Sequence, residues 1–214
     1  MQAELFADDR PAIALAPGAV VLPGFALGEA DALIEGIAGI ALEAPFRRME
    51  TPGGRQMSVA MTSAGPLGWT SGRRGYGYAA TDPASGRPWP AMPPAFSALA
   101  MRAAAAGGFA GFVPDSCLVN RYEAGARMAL HQDRDERDMG QPIVSVSLGL
   151  PATFLWGGAA RSNPAARVPL RHGDVVVWGG PARLTFHGIA PLKAGAHPAT
   201  GECRYNLTFR VADA

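Results

Sequence analysis

Cysteine is scarce in this 214-residue chain: Cys117 and Cys203 are the only two. Two thiols exclude a disulfide-stapled scaffold and a cysteine-rich metal site, and they suit a reducing compartment. Lysine is scarcer still, with Lys193 alone against 18 arginines. Together with 41 alanines this reads first as a bias towards GC-rich codons, and second as selection for guanidinium chemistry. An excess of one charge is also lacking. The formal net charge is +1, so no whole-molecule field announces a nucleic-acid binder, although a local patch could still serve one. Long apolar runs are missing too. The most apolar early stretch, Ala12 to Leu27, is broken by Pro17 and Pro23, and nothing approaches the ~20 residues that span a bilayer. The opening MQAELFADDR has no basic region followed by an apolar run, so no signal peptide is expected. These absences predict a cytoplasmic chain with no membrane partner.

What is present can build a core. Apolar residues make up 48% and charged residues 17%, which excludes global disorder and supports one domain over 1–214. Gly and Pro account for 46 residues, favouring turns and short strands over long helices. Residues 18–22 read as a strand. Residues 28–42 read as an amphipathic helix through Leu33, Ile37, Ile40 and Leu42. Residues 45–93 then lose all helical period. They carry six arginines against Glu50 and Asp82 and are dense in Gly, Pro and aromatics. A long, irregular, basic segment of this kind is usually a lid or binding loop. Residues 95–106 read as a second helix stopped by Gly107-Gly108. After residue 115, short strands are predicted near 116–122, 143–149, 152–156, 167–171, 174–178, 184–187 and 203–211. Their spacing suggests a sandwich or jelly roll, so the class is α+β with helices early and a β core over 115–211.

Three constellations carry chemistry. In His131-Gln132-Asp133 an extended backbone points the imidazole and the carboxylate the same way. With His187 as third member, two histidines and one carboxylate would form the facial triad of non-haem Fe(II) oxygenases, with open coordination positions. The alternative is a surface turn in the charged run Asp133–Asp138. In Arg204–Arg210, alternation places Arg204, Asn206, Thr208 and Arg210 on one face and Tyr205, Leu207 and Phe209 on the other. Two guanidinium forks suit a dicarboxylate, and the alternative is a solvated strand face. Asn120 and Tyr122 share a face with Leu118 and could complete a polar lining, or belong to a routine strand. His172 reads as a turn residue, His197 as loop, Trp178 as core rather than contact, and both cysteines as buried free thiols.

Taken together, these motifs resemble the AlkB family of Fe(II)/2-oxoglutarate dioxygenases. The resemblance runs through TPGGRQMSVAMTSAGPLGW (51–69), RRGYGY (73–78), PWPAMP (88–93), CLVNRYEAGARMALHQDRDE (117–136), PIVSVSLGLPATF (142–154), HGDVVVWGG (172–180), RLTFHGIAPLKAG (183–195) and CRYNLTFR (203–210). It implies a double-stranded β-helix, a form of jelly roll, with N-terminal helices and a nucleotide-recognition lid at 45–93. It assigns His131, Asp133 and His187 to Fe(II), as the catalytic centre. It assigns Asn120, Tyr122, Arg204, Asn206 and Arg210 to 2-oxoglutarate, with the two arginines at opposite carboxylates. Trp69 would stack on a flipped base with His131 behind it, Met61 would wall the pocket, Tyr76 and its neighbour Tyr78 would hold backbone phosphate, and Asp135 and Arg161 would line the base pocket. Arg73 and Arg74 would contact phosphate.

The implied reaction is oxidative demethylation of 1-methyladenine and 3-methylcytosine in DNA. 2-Oxoglutarate and O2 become succinate and CO2, and formaldehyde is released. The implied partner is alkylated DNA, single strands preferred, with RNA as the alternative, and the implied state is a monomer. The chain departs from the family pattern at Gly77, at Trp156 and in the sparsely charged segment 158–167. Competing readings are an oxygenase of RNA or protein, a zinc hydrolase, and a non-redox jelly-roll metal-binding module. The metal-binding module does not account for two arginines and an asparagine on one strand face, a zinc hydrolase would have no use for 2-oxoglutarate, and the residues at the iron site do not separate the DNA reading from an RNA or protein oxygenase.

Overall fold

A computed structural model describes residues 9–213. Thirteen strands, two α-helices and two single-turn 3-10 helices are found among them. The first half holds β1 (Ile13–Ala16), β2 (Ala19–Leu22), α1 (Ala30–Glu43), β3 (Ala60–Ala64), β4 (Gly68–Gly72), β5 (Gly75–Ala79) and α2 (Pro94–Ala106). The second half holds β6 (Ser116–Tyr122), β7 (Met128–His131), β8 (Ile143–Gly149), β9 (Ala152–Trp156), β10 (Ala166–Leu170), β11 (Val175–Trp178), β12 (His187–Ile189) and β13 (Arg204–Arg210).

The strands form a seven-stranded sheet, β1-β2-β11-β8-β13-β6-β3, a four-stranded sheet, β10-β9-β12-β7, and the separate hairpin β4-β5. Pairing is antiparallel throughout. One apolar cluster joins α1 and α2 to one face of the large sheet through Leu33, Ile37, Phe96, Leu99, Val144, Val146, Leu207 and Phe209. A second fills the space between the two sheets, with Leu118, Tyr122, Ile143, Val176 and Trp178 meeting Phe154, Trp156, Leu170 and Ile189. Helices, large sheet and small sheet are therefore three layers, and the two sheets make the jelly roll. The central strands β8 and β11 are buried on both faces, which explains their near-continuous apolar runs.

The helices follow the apolar spacing. In α1 the buried positions are Ala30, Leu33, Ile37 and Ile40. Leu42 was expected on that stripe but is 86% exposed, because it falls 200° round the helix from Ile40. Three further expectations are corrected. Residues 45–93 are not irregular throughout: β3 is an edge strand of the large sheet, paired with β6, and β4-β5 is a regular hairpin. The strand expected at 184–187 begins at His187, because residues 183–186 are drawn aside. Thr185 N–H donates to the Ala182 carbonyl and Phe186 N–H to that of Gly158. Cys117 is buried as expected, but Cys203 is only half-buried.

The hairpin stands on a defined base. Trp89 packs against Gly68 so closely that a Cβ there would lie 2.3 Å from its ring. Its indole N–H donates to the Ala79 carbonyl at 2.9 Å, and the Arg47 guanidinium lies 5.3 Å from its ring centre. Arg47 in turn pairs with buried Asp82. No helix among the described residues is long and apolar enough to cross a membrane.

Candidate metal and co-substrate site

Three side chains converge at the mouth between the sheets. His131 ends β7, His187 opens β12, and the two are register partners across that ladder. Asp133 follows two residues beyond His131. One ligand atom from each of the three lies within 4.8 Å of the others. Nε2 of His131 is 3.5 Å from Asp133 Oδ1, and Nε2 of His187 is 3.8 Å from Oδ2. Both rings use the same orienting device. Nδ1 of His131 meets the Ala129 carbonyl at 2.9 Å, and Nδ1 of His187 meets that of Thr185 at 2.9 Å. Each bond places the ring proton on Nδ1 and leaves the Nε2 lone pair facing the centre.

The charge states suit a cation. Burial alone would raise the Asp133 carboxyl, but Arg210 and the two imidazoles hold it well below its ordinary value. Burial and the neighbouring His131 push His187 down to about 4, so it is a neutral ligand at neutral pH. For His131 burial acts downward, but hydrogen bonding to Asp133 and its charge win and raise the ring. A proton and a metal ion therefore compete for its lone pair.

The cavity beside this cluster is lined by Asn120, Tyr122, Ser145, Phe154, Trp178, Arg204, Asn206 and Thr208. The expected co-substrate residues come together because β6 and β13 are paired, with Tyr122 opposite Arg204 and Asn120 opposite Asn206. Arg204 is 1% exposed. Its Nη2 donates to Ser147 Oγ at 3.0 Å and its guanidinium sits 4.9 Å from the centre of the Tyr122 ring. Its Nε and Nη1 have no hydrogen-bond partner among the described residues, and neither has Asn120 Oδ1. A buried cation without a counter-ion is costly, so these orphaned donors fit a carboxylate ligand. Arg210 differs. Nε and Nη2 both reach Asp133 Oδ2, at 3.1 and 2.7 Å, and only Nη1 is unpartnered. The two arginines, expected as equivalent ends of a clamp, are therefore unlike: one faces the cavity, the other braces the Asp133 carboxylate.

The substrate-side candidates separate. Trp69 and Tyr76 of the hairpin stack with ring centres 5.5 Å apart and planes at 17°. The Trp69 indole donates to Asp135 at 2.9 Å, and the Tyr78 hydroxyl donates to Glu136 at 2.5 Å. Tyr76 is 49% exposed, Asp135 is exposed, and Arg73 and Arg74 form the exposed hairpin turn. Met61, expected as a pocket wall, is 1% exposed within the inter-sheet core, so it has no surface to offer a base. Arg161 is exposed and lies over Phe186, its guanidinium 5.4 Å from the ring centre.

Sequence reasoning missed five participants. Trp178, read as core, is buried but also lines the cavity, 4.9 Å from the His187 ring. Ser145 and Ser147 were legible as the polar alternation inside Ile143–Gly149. Glu136 and Arg183 were hidden in what looked like charged and apolar loops, and both are buried.

The comparisons agree with this geometry. Residues 18–210 match the family model of the 2OG-Fe(II) oxygenase superfamily. Over 210 residues the chain is 58% identical to the alpha-ketoglutarate-dependent dioxygenase AlkB of Escherichia coli (strain K12), covering 98% of this chain and 97% of that protein. It is 46% identical over 202 residues to the AlkB homolog of Caulobacter vibrioides, covering 94% and 90%. The solved structure of OsALKBH1 superposes with a TM-score of 0.83 at 31% identity, covering 94% of this chain and all of that one. With a jelly roll, a two-histidine and one-carboxylate cluster and these relatives, the chain belongs to the AlkB family of Fe(II)/2-oxoglutarate-dependent dioxygenases, within the 2OG-Fe(II) oxygenase superfamily.

Proposed function

We propose that the enzyme removes methyl groups oxidatively from 1-methyladenine and 3-methylcytosine in DNA, as a direct-reversal repair activity. The observation that carries this reading is the position of the hairpin. Trp69 stacks on Tyr76 and donates to the exposed Asp135, which lies two residues beyond the cluster's Asp133, so the hairpin is bonded to the loop that carries a metal-ligand candidate. The segment 45–93 carries six arginines against two acids, which favours an anionic polymer over a neutral substrate.

In this reading one catalytic unit spans the chain, and the part of 45–93 beyond β3 acts as the lid. His131, Asp133 and His187 hold Fe(II), and Arg204, Asn120, Tyr122, Asn206 and Arg210 hold 2-oxoglutarate. When bound, the pair supplies the oxidising chemistry: 2-oxoglutarate and O2 yield succinate and CO2 as the N-methyl group gains a hydroxyl, and the hydroxymethyl group leaves as formaldehyde. The chain's own residues do the rest. Arg204 neutralises the remote carboxylate inside the barrel. Trp69 offers a flat wall for a base that must leave its stack. Asp135 accepts a hydrogen bond from the exocyclic amine, and its charge favours the cationic form that methylation at N1 or N3 creates. Phe154, Trp178 and Ile189 keep water from the cavity. Tyr76, Tyr78, Arg73, Arg74 and Arg161 bind the flanking nucleotide backbone, and single strands are preferred because no partner base has to be displaced.

The test is an oligonucleotide carrying one 1-methyladenine, incubated with Fe(II), 2-oxoglutarate and air and followed by mass. Loss of 14 Da (one methyl replaced by hydrogen, roughly) that requires 2-oxoglutarate and is absent in His131→Ala supports the reading. Succinate formed with single-stranded DNA left intact, but with methylated RNA repaired, moves the substrate to RNA.

A further inference from the structure

The two histidines of the cluster are fixed by the sheet, since they face each other across the β7–β12 ladder. Asp133 has no such support, because it lies two residues past the end of β7. Its place is set by side chains. Arg210 holds the carboxylate, and Arg183 holds the main chain. Arg183 sits in the connection between β11 and β12, four residues before His187, with a side chain 4% exposed. Its Nη1 donates to the Asp133 carbonyl at 2.5 Å, its Nε to the Gln141 carbonyl at 2.9 Å and its Nη2 to Glu136 Oε2 at 2.8 Å. Glu136 also accepts from the Tyr78 hydroxyl, and its Oε1 is 3.2 Å from Arg210 Nε. Two guanidiniums and two carboxylates thus form a buried group without net charge, closed on the lid side by Tyr78.

We propose that Arg183 is a positioning residue for the metal-binding loop. It fixes the Asp133 backbone relative to the strand that carries His187 and, through Glu136, ties that geometry to Tyr78 of the lid. This rests on the assignment of His131, Asp133 and His187 to the metal. A guanidinium is required because the three acceptors lie in three directions, which one planar fork serves and an ammonium on a flexible stem does not.

The experiment measures Mn(II) binding by calorimetry in the presence of 2-oxoglutarate, with melting temperatures of the metal-free proteins alongside. Arg183→Lys and Arg183→Gln are expected to bind Mn(II) about 10- to 100-fold more weakly than the parent, the usual effect of losing a partner that orients a metal ligand. A purely structural Arg183 would lower the melting temperature and leave the affinity of the folded protein unchanged within twofold, and that result overturns the proposal. Where Arg183→Gln does not fold, Arg183→Lys and the isosteric Glu136→Gln carry the test, and unchanged affinity in both overturns it. Tyr78→Phe is expected to weaken Mn(II) binding in the parent but not in Glu136→Gln. Equal effects in the two backgrounds remove the lid from the relay. His131→Ala reports separately on the ligand assignment. Binding retained there refutes that assignment whatever Arg183 does.

Discussion

Replacing Arg204 by Met should make the ligand-free enzyme more stable while destroying its affinity for 2-oxoglutarate. Arg204 is buried to 1% exposure with Nε and Nη1 unpartnered. Two buried unsatisfied donors cost about 2–6 kcal/mol at about 1–3 kcal/mol each. Against this, Met forfeits the bond to Ser147, about 1 kcal/mol, and the stack on Tyr122, about 1–2 kcal/mol. The balance is about 1.5 kcal/mol in favour of the variant, or about 3–6 °C in melting temperature for a chain of this size. Ligand binding moves the other way. Removing one side of a buried charge pair costs about 2–5 kcal/mol, equivalent to a roughly 30- to 4,000-fold loss of affinity. Thermal melts with Mn(II), with and without 2-oxoglutarate, read both effects. The parent should gain about 2.7 kcal/mol at a ligand concentration 100 times its Kd, and the variant no more than about 0.9 kcal/mol. A ligand-free Arg204→Met protein that melts below the parent, or one that gains as much from 2-oxoglutarate as the parent does, refutes the argument.

Three further outcomes are expected. Trp69→Ala should lower kcat/KM for a methylated oligonucleotide by about 5- to 150-fold, the equivalent of about 1–3 kcal/mol of base stacking, with the 2-oxoglutarate affinity unchanged; steady-state assays varying each substrate decide it. Arg73→Ala with Arg74→Ala should flatten the slope of log K against log salt by about 1.4 for single-stranded DNA, at ~0.7 per phosphate contact; an unchanged slope would mean the hairpin turn does not touch phosphate. Stability should fall as pH drops below the ordinary histidine value of 6.5, in part through His172. Burial, and then His197, lower its pKa, so the unfolded chain binds the extra proton first and stability is lost from 6.5 downward. Nδ1 of His172 accepts the Gly149 N–H at 2.9 Å and can do so only unprotonated. His172→Asn, which can keep the acceptor without the charge, should show a smaller fall in urea midpoint between pH 7.5 and 5.

The elements that define the site were legible because they are local patterns. The strand Arg204–Arg210 alternates strictly, and His131 and Asp133 are two residues apart in extended chain, so period and spacing place them. What stayed hidden depends on long-range pairing. The strand β3 reads as part of a Gly- and Pro-rich stretch, and only pairing with β6, some 55 residues away, makes it a strand. Leu184-Thr185-Phe186 has the alternation of a strand, but Arg183 is pulled towards Asp133 and the ladder starts later. Met61 carries no local mark that separates a core methionine from a pocket wall. The unequal roles of Arg204 and Arg210 could not be read from a strand that treats them alike. Their difference comes from Asp133 and Glu136 arriving from another loop.

The hairpin β4-β5 meets the rest of the molecule at Trp89 beneath Gly68, at Glu50 through Ser71 and Arg73, and through the bonds to Asp135 and Glu136. Its strands pair only with each other, while β3 beside it is locked into the large sheet. Length and composition at the hairpin tip can therefore drift between relatives without disturbing a single ladder bond of the barrel. The hairpin and the metal cluster thus lie on different pieces of chain, joined where Trp69 meets Asp135 and Tyr78 meets Glu136. On the proposed reading, a new preference for a bulkier adduct or another polymer calls for changes in the hairpin and at Asp135 and Arg161 together, with the bonds to Asp135 and Glu136 kept.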